Sequence, residues 1–295
     1  ISSEKLNKKM YFHDNIDPIF FEKSLSSIEF ISTGFIFISK SGKTPEILGQ
    51  LGAIVQLASV KNSLLIFYSN CLIITQFKAS PLFNIAKKNN CLLLEHKEDI
   101  GGRYSVFSNV GMIPAIIAGL DAKEIHRGAR NVIEKDHKDN LYKLGQLFIF
   151  QKNISLTSSV IMTYSDSLKY FGKWYLQLWA ESIGKDNKGI TPIHSIGSTD
   201  QHSQLQLYLD GPKDKFFTFI TTNHSNKGFI INKNIMNEEK VDYLFNKKMG
   251  DLMQAEQQAT LDTFGQNNIK FREIHIPIID TYSIGSLMAL SIIET

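Results

Sequence analysis

Gly34-Phe35-Ile36-Phe37-Ile38-Ser39-Lys40-Ser41-Gly42-Lys43-Thr44-Pro45-Glu46 decides the reading of this chain. The apolar run 35–38 reads as a buried strand. It breaks abruptly into small polar residues, and apolar-periodic residues resume at Ile47. That order predicts a strand, a tight hydroxyl-rich turn and a helix start. Ser39, Ser41 and Thr44 offer hydroxyl donors. The first helical turn adds backbone N–H groups and the positive end of the helix dipole. The combination suits an anion, phosphate above all. The same residues also fit an ordinary βα turn with a Ser/Thr cap. Neither G-x-x-x-x-G-K-[ST] nor G-x-G-x-x-G is present.

Working outward, residues 10–13 read as a short strand and 17–27 as a helix opened by Asp17-Pro18. Strand 34–39, helix 45–61, strand 71–76, a helix from Ser80-Pro81 to Lys88 and strand 91–95 follow. The apolar segment 110–119 predicts a buried helix, and a helical pattern runs from Ala122 to about Phe150. A second alternation holds strand 159–164, helix 166–183 with Trp174 and Trp179, strand 191–196, helix 199–209 and strand 216–221. A long helix around 238–263, strand 270–276 and helix 282–293 complete it. This alternation predicts an α/β fold of two units, each a mainly parallel sheet flanked by helices on both faces. The residues place the division within 120–157.

The 295 residues are 43% hydrophobic and 21% charged. That suffices for one large or two ordinary domains and excludes disorder. A net charge of +3 without a long basic block argues against a nucleic-acid partner. The longest apolar stretch, 64–75, is interrupted by Tyr68-Ser69-Asn70 and falls short of the ~20 residues a membrane span needs. Cys71 and Cys91 belong to no C-x-x-C and read as buried core thiols of a reducing, cytoplasmic compartment. The eight histidines form no H-E-x-x-H and no Cys/His cluster, so no metal site is expected. A G-x-S-x-G elbow is absent. Ile1-Ser2-Ser3-Glu4-Lys5 has no apolar signal region and no initiating Met, so the chain is expected to begin inside a longer reading frame.

Three further segments hold chemistry. Gly101-Gly102-Arg103-Tyr104-Ser105 lies past strand 91–95, where ligands of parallel sheets bind. Arg103 there could hold phosphate or stabilise an oxyanion, or be a surface arginine on a turn. Glu181 stands among Trp179, Ala180 and Ile183; partial desolvation would raise its pKa and suit a general base. Alternatively it faces solvent and pairs with Lys185. His202 falls in a first helical turn after strand 191–196, where the dipole favours neutral imidazole. A structural histidine fits equally.

Together these segments resemble the glucose-6-phosphate isomerase family, in its short bacterial form, across essentially the whole chain. Ser39-Lys40-Ser41-Gly42-Lys43-Thr44 is similar to its sugar-phosphate loop. Glu98-Asp99-Ile100-Gly101-Gly102-Arg103-Tyr104-Ser105 is similar to its first signature, with Asn109 a small departure. Glu181-Ser182 with Gly184-Lys185 resembles the segment of the catalytic glutamate, and Thr199-Asp200-Gln201-His202-Ser203 with Gln206 the segment of the active-site histidine. The resemblance implies two sugar-isomerase (SIS) domains, 1–122 and 123–295. The first lacks the family's N-terminal strand with G-x-G-G-S, and the second its D-Q-x-G-V-E-x-x-K segment, as expected of a fragment or of a gene shortened at both ends. It implies reversible isomerisation of glucose 6-phosphate and fructose 6-phosphate through a cis-enediol. Ser39, Lys40, Ser41 and Thr44 would bind phosphate, Glu181 would move the proton, Arg103 would stabilise the enediolate and His202 would open the ring. A homodimer completing each site across its interface is implied, with no cofactor and no nucleic-acid or membrane partner. A non-catalytic sugar-phosphate-binding SIS protein, or an isomerase of another sugar phosphate, are the alternatives.

Overall fold

The computed structural model describes residues 9–135, 156–232 and 239–295. Two compact units divide between Ala122 and Lys123. In the first, Asp17 caps α1 (Pro18–Leu25) by accepting from Phe20 N at 2.9 Å, and Pro18 fills the first helical position. Then come β1 (Phe35–Ile38), α2 (Pro45–Val60), α3 (Leu64–Ser69), β2 (Cys71–Thr75), α4 (Pro81–Lys88), β3 (Leu92–Glu95) and α5 (Asn109–Ile117). The strands lie in the order β1-β2-β3, all parallel, with Phe35 opposite Cys71 and Leu72 opposite Leu92. Ile73, Ile74 and Thr75 are successive and all buried. Successive residues point to opposite faces, so helices cover both faces of the central strand. Phe67, fully buried, meets Phe30 and Phe35 edge-on at 6.1 and 5.0 Å. Cys71 and Cys91 are buried in the same core, and burial pushes the Cys71 thiol well above its usual range.

The second unit runs α6 (Ala122–Lys135), β4 (Ser158–Thr163), α7 (Lys169–Ile183), β5 (Thr191–Ile196), α8 (Thr199–Asp210), β6 (Lys215–Thr222), α9 (Met249–Gln266), β7 (Phe271–Ile276) and α10 (Thr281–Glu294). Its four parallel strands take the order β5-β4-β6-β7. Central β4 and β6 are buried nearly throughout, while β5 and β7 are partly exposed. Phe264 of α9 stands edge-on to Phe217 and Phe219 at 4.8 and 5.0 Å. On β7, Arg272 reaches Glu294 through both terminal nitrogens, one at 2.8 Å, and Thr218 Oγ1 through Nε at 2.9 Å. Among the described residues no helix is long and apolar enough to cross a membrane.

Four expectations need correction or limits. Residues 10–13 are not a strand: Tyr11 and Phe12 are exposed, and Gln50 Nε2 takes the carbonyls of His13 and Asn15 at 3.3 and 2.9 Å instead of a strand ladder. The segment 110–119 is helical but not buried; only Met112 is, and Ile116 and Ile117 face outward. The helix around 238–263 starts only at Met249. Asn246 turns the backbone to φ 61°, and Asp251 caps the start by accepting from Lys248 N at 2.8 Å. The pattern from Ala122 to Phe150 is helix to Lys135, and 136–155 lie outside the described residues.

His194 on β5 places Nε2 at 3.1 Å from Thr163 Oγ1, with its ring against Gly172, where an added Cβ would stand 2.2 Å from Nε2. Burial holds the imidazole below its ordinary value; Asp200 opposes this, and Lys169 and Lys173 add to it. The unfolded ring therefore takes its proton at a higher pH, near 6.5. Stability contributed by the neutral ring is present above that value and is lost as pH falls toward the folded value. Urea unfolding of wild type and His194→Gln between about pH 7.5 and pH 5 is expected to show the steeper acid loss in wild type. Equal slopes would remove this role from His194.

Candidate active site

The turn after β1 is built by its own hydroxyls. Ser39 is buried, and its Oγ lies 2.7 Å from Thr44 Oγ1 while accepting from Gly42 N at 3.1 Å. Ser41 is exposed and accepts from Lys43 N at 3.2 Å. Thr44 stands at the cap of α2, but its hydroxyl turns to Ser39 and leaves the helix end uncapped by a side chain. Pro45 has no N–H, and those of Glu46 and Ile47 lie in the first turn, which has no helical acceptors. Gly42 holds φ 63°, and a Cβ there would meet Ser80 Oγ at 2.2 Å. Its carbonyl accepts from Leu82 N at 3.1 Å, so the turn rests directly on the capped start of α4.

Because β1, β2 and β3 are parallel, Ser39 and the segment after β3 share one edge of the sheet. Lys40 bridges them: its Nζ donates to the carbonyls of Glu98 at 2.9 Å and Ile100 at 2.7 Å. Beyond them, a 3-10 turn over Gly102–Phe107 carries Arg103, whose guanidinium stacks on Tyr104 at 4.6 Å. Ser105 donates to Gly102 O at 2.6 Å and closes the turn.

In the second unit, Glu181 sits in the last turn of α7. It is exposed rather than partly desolvated, because that helix buries the face of Phe171, Tyr175, Leu178 and Trp179 instead. Gln177, one turn earlier, donates to its Oε1 at 2.9 Å. Trp179 Nε1 donates to Ile190 O at 3.2 Å, which pins this end of α7 beside the start of β5. His202 lies at the other end of β5, exposed in the first turn of α8. Asp200 fixes that turn by accepting from Ile196 N at 2.6 Å, and Gln201 ties it to Thr260 at 2.5 Å. β5 runs from one end to the other over six residues, a rise of roughly 17 Å along the strand at about 3.3 Å per residue.

Within the first unit the structure thus brings together Ser39, Lys40, Ser41, Thr44 and the arginine loop at one sheet edge. Within the second it keeps Glu181 and His202 at opposite edges. Sequence reasoning missed Gln177, though its spacing of four residues before Glu181 on one helix was the available signal. It also missed the two carbonyls that Lys40 holds, which no spacing reveals. Among the described residues no group of three or more His, Cys, Asp and Glu could hold a metal ion.

The phosphoglucose isomerase family model matches residues 1–257. The chain is 33% identical over 297 residues to a probable glucose-6-phosphate isomerase of Methanococcus maripaludis, covering 97% of this chain and 65% of that protein. It is 35% identical over 291 residues to a glucose-6-phosphate isomerase of Methanocaldococcus jannaschii, covering 96% and 69%. The chain therefore spans about two thirds of the length of these curated relatives. A solved structure of a hypothetical protein from Thermus thermophilus superposes with a TM-score of 0.87 at 26% identity, covering 95% of this chain and 69% of that one.

Gly42→Ala tests the turn. The left-handed backbone and the clash with Ser80 are expected to destabilise the protein by about 1–3 kcal/mol. Thermal melting with and without inorganic phosphate should show a lowered midpoint and a smaller shift from phosphate. A melt indistinguishable from wild type would mean that the turn tolerates a side chain.

Proposed function

Because the chain belongs to the phosphoglucose isomerase family, we propose that it interconverts glucose 6-phosphate and fructose 6-phosphate. The observation that carries this reading is the hydroxyl turn 39–44 and the arginine loop 101–103 at one carboxyl-end sheet edge. Phosphate sits at the turn, against Ser41, Thr44 and the N–H groups opening α2, where short donors and the helix dipole favour an anion. Ser39 is mostly enclosed and acts by holding Thr44. With the phosphate anchored, the reacting carbons are held at fixed distance from the catalytic groups.

Glu181 takes the proton from C2 of the open-chain aldose and returns it to C1, as the C1–C2 double bond of the cis-enediol forms and is consumed. Arg103 stabilises the negative charge of the enediolate oxygen. His202 moves a proton at the ring oxygen to open the sugar. The units are read as SIS domains, 1–122 and 123–295. Glu181 and His202 stand at opposite edges of the same sheet, which favours a homodimer in which His202 serves the partner's site. A cytoplasmic enzyme working without a cofactor or a nucleic-acid partner is the remainder of the reading.

The test is fructose 6-phosphate isomerisation by this 295-residue chain, read by coupling glucose 6-phosphate to its dehydrogenase. Turnover is expected, and Glu181→Gln should lower kcat by about 10²–10⁴-fold with KM little changed. Folded protein without turnover, or Glu181→Gln with full turnover, would overturn the assignment.

A further inference from the structure

We propose that Lys40 is a positioning residue, whose ammonium fixes the Glu98–Ile100 segment and through it the place of Arg103, rather than a ligand of the phosphate. The role given to Arg103 rests on the isomerase reading; the clamp itself does not.

Both bonds of the clamp, 2.9 Å to Glu98 O and 2.7 Å to Ile100 O, are of full strength and charge-assisted. The stem that delivers the ammonium is itself anchored. Lys40 O accepts from Gln76 N at 3.1 Å and from Thr75 Oγ1 at 3.4 Å, so the end of β2 holds the backbone from which the side chain departs. Thr75 O in turn accepts from His96 N at 2.9 Å. Three strand ends are thus joined through one residue.

The loop needs such an anchor. Ile100 is followed by two glycines. Gly102 has open space where a side chain would stand, so no side chain packs there. Glycine also loses more freedom on ordering than any other residue. The Lys78–Glu98 ion pair joins exposed side chains, 60% and 69% accessible, and such pairs hold little in water. The bond from Ile100 N to Lys97 O is long, at 3.4 Å. Lys40 therefore supplies the two short bonds immediately before the glycine pair. The ammonium has three donors and spends two on these carbonyls, so swinging the side chain away to a bound phosphate would loosen the loop just when the arginine is needed. Holding them instead couples the phosphate turn rigidly to the arginine loop.

Lys40→Met keeps most of the stem and removes the donors. Hydrogen exchange of the backbone amides of 99–104 is expected to quicken at least about tenfold in this variant, with those of β2 unchanged. Affinity for inorganic phosphate should stay within about twofold. In turnover, kcat should fall by about 10- to 100-fold with KM nearly constant, as a misplaced catalytic group predicts. Lys40→Arg, which can still reach a carbonyl, should recover part of the loss. Unchanged exchange at 99–104, a tenfold loss of phosphate affinity, or a raised KM with kcat kept would each overturn the proposal. If the wild-type chain shows no turnover, the isomerase reading fails alone, and exchange with the phosphate titration still decides the clamp.

Discussion

Parallel pairing of the strands is the constraint on which the rest of the structure depends. A parallel ladder cannot be closed by a hairpin, so every strand must be followed by a crossover, here built from helices. The crossovers return the chain to the same starting edge, and every strand therefore delivers its following loop to the opposite one. In the first unit this places the hydroxyl turn after β1 and the arginine loop after β3 side by side, although about 60 residues separate them in sequence. In the second unit the same rule separates Glu181, at the end of one returning helix, from His202, at the start of the next.

Legibility in the sequence followed the sharpness of local signals. The step from Phe35–Ile38 to Ser39–Thr44 and then Pro45 is abrupt, and β1, the turn and α2 stand where it puts them. Asp17-Pro18 and Ser80-Pro81 likewise marked helix starts through caps that the structure contains. Helix α3 was not legible because Leu64–Phe67 is as apolar as the strand that follows, and periodicity cannot separate helix from strand over so few residues. The aromatic Tyr11-Phe12 suggested a strand, yet among the described residues the sheet runs β1-β2-β3 and does not pair with that stretch.

The candidate site was legible by residue type and illegible by direction. Residue type at strand ends and beside apolar neighbours singled out the hydroxyls, the arginine and the glutamate. Whether a hydroxyl faces a ligand or its neighbour depends on the turn: Ser39 points inward to Thr44, and Lys40 reaches past the site to two carbonyls. Glu181 drew attention through its apolar neighbours, but of these only Trp179 lies on the buried face of the helix, and Ala180 is exposed beside it. Side-chain direction follows from tertiary packing, which a one-dimensional pattern carries only for regular helices and strands.

The Arg272–Glu294 contact has a consequence for how this sequence can drift. Glu294 is 6% exposed, and Arg272 satisfies both carboxylate oxygens as well as Thr218. Losing either partner alone strands a charge away from water, at about 3–5 kcal/mol, whereas two well-packed apolar residues would be tolerated. Neighbouring Tyr175 shares the site, its phenol buried and pushed above its usual range, first by burial and then by the Glu294 carboxylate. The two positions are therefore bound to a shared history, with single-step substitutions closed and only paired replacement open. A natural variant altered at one of them should carry its compensation at the other.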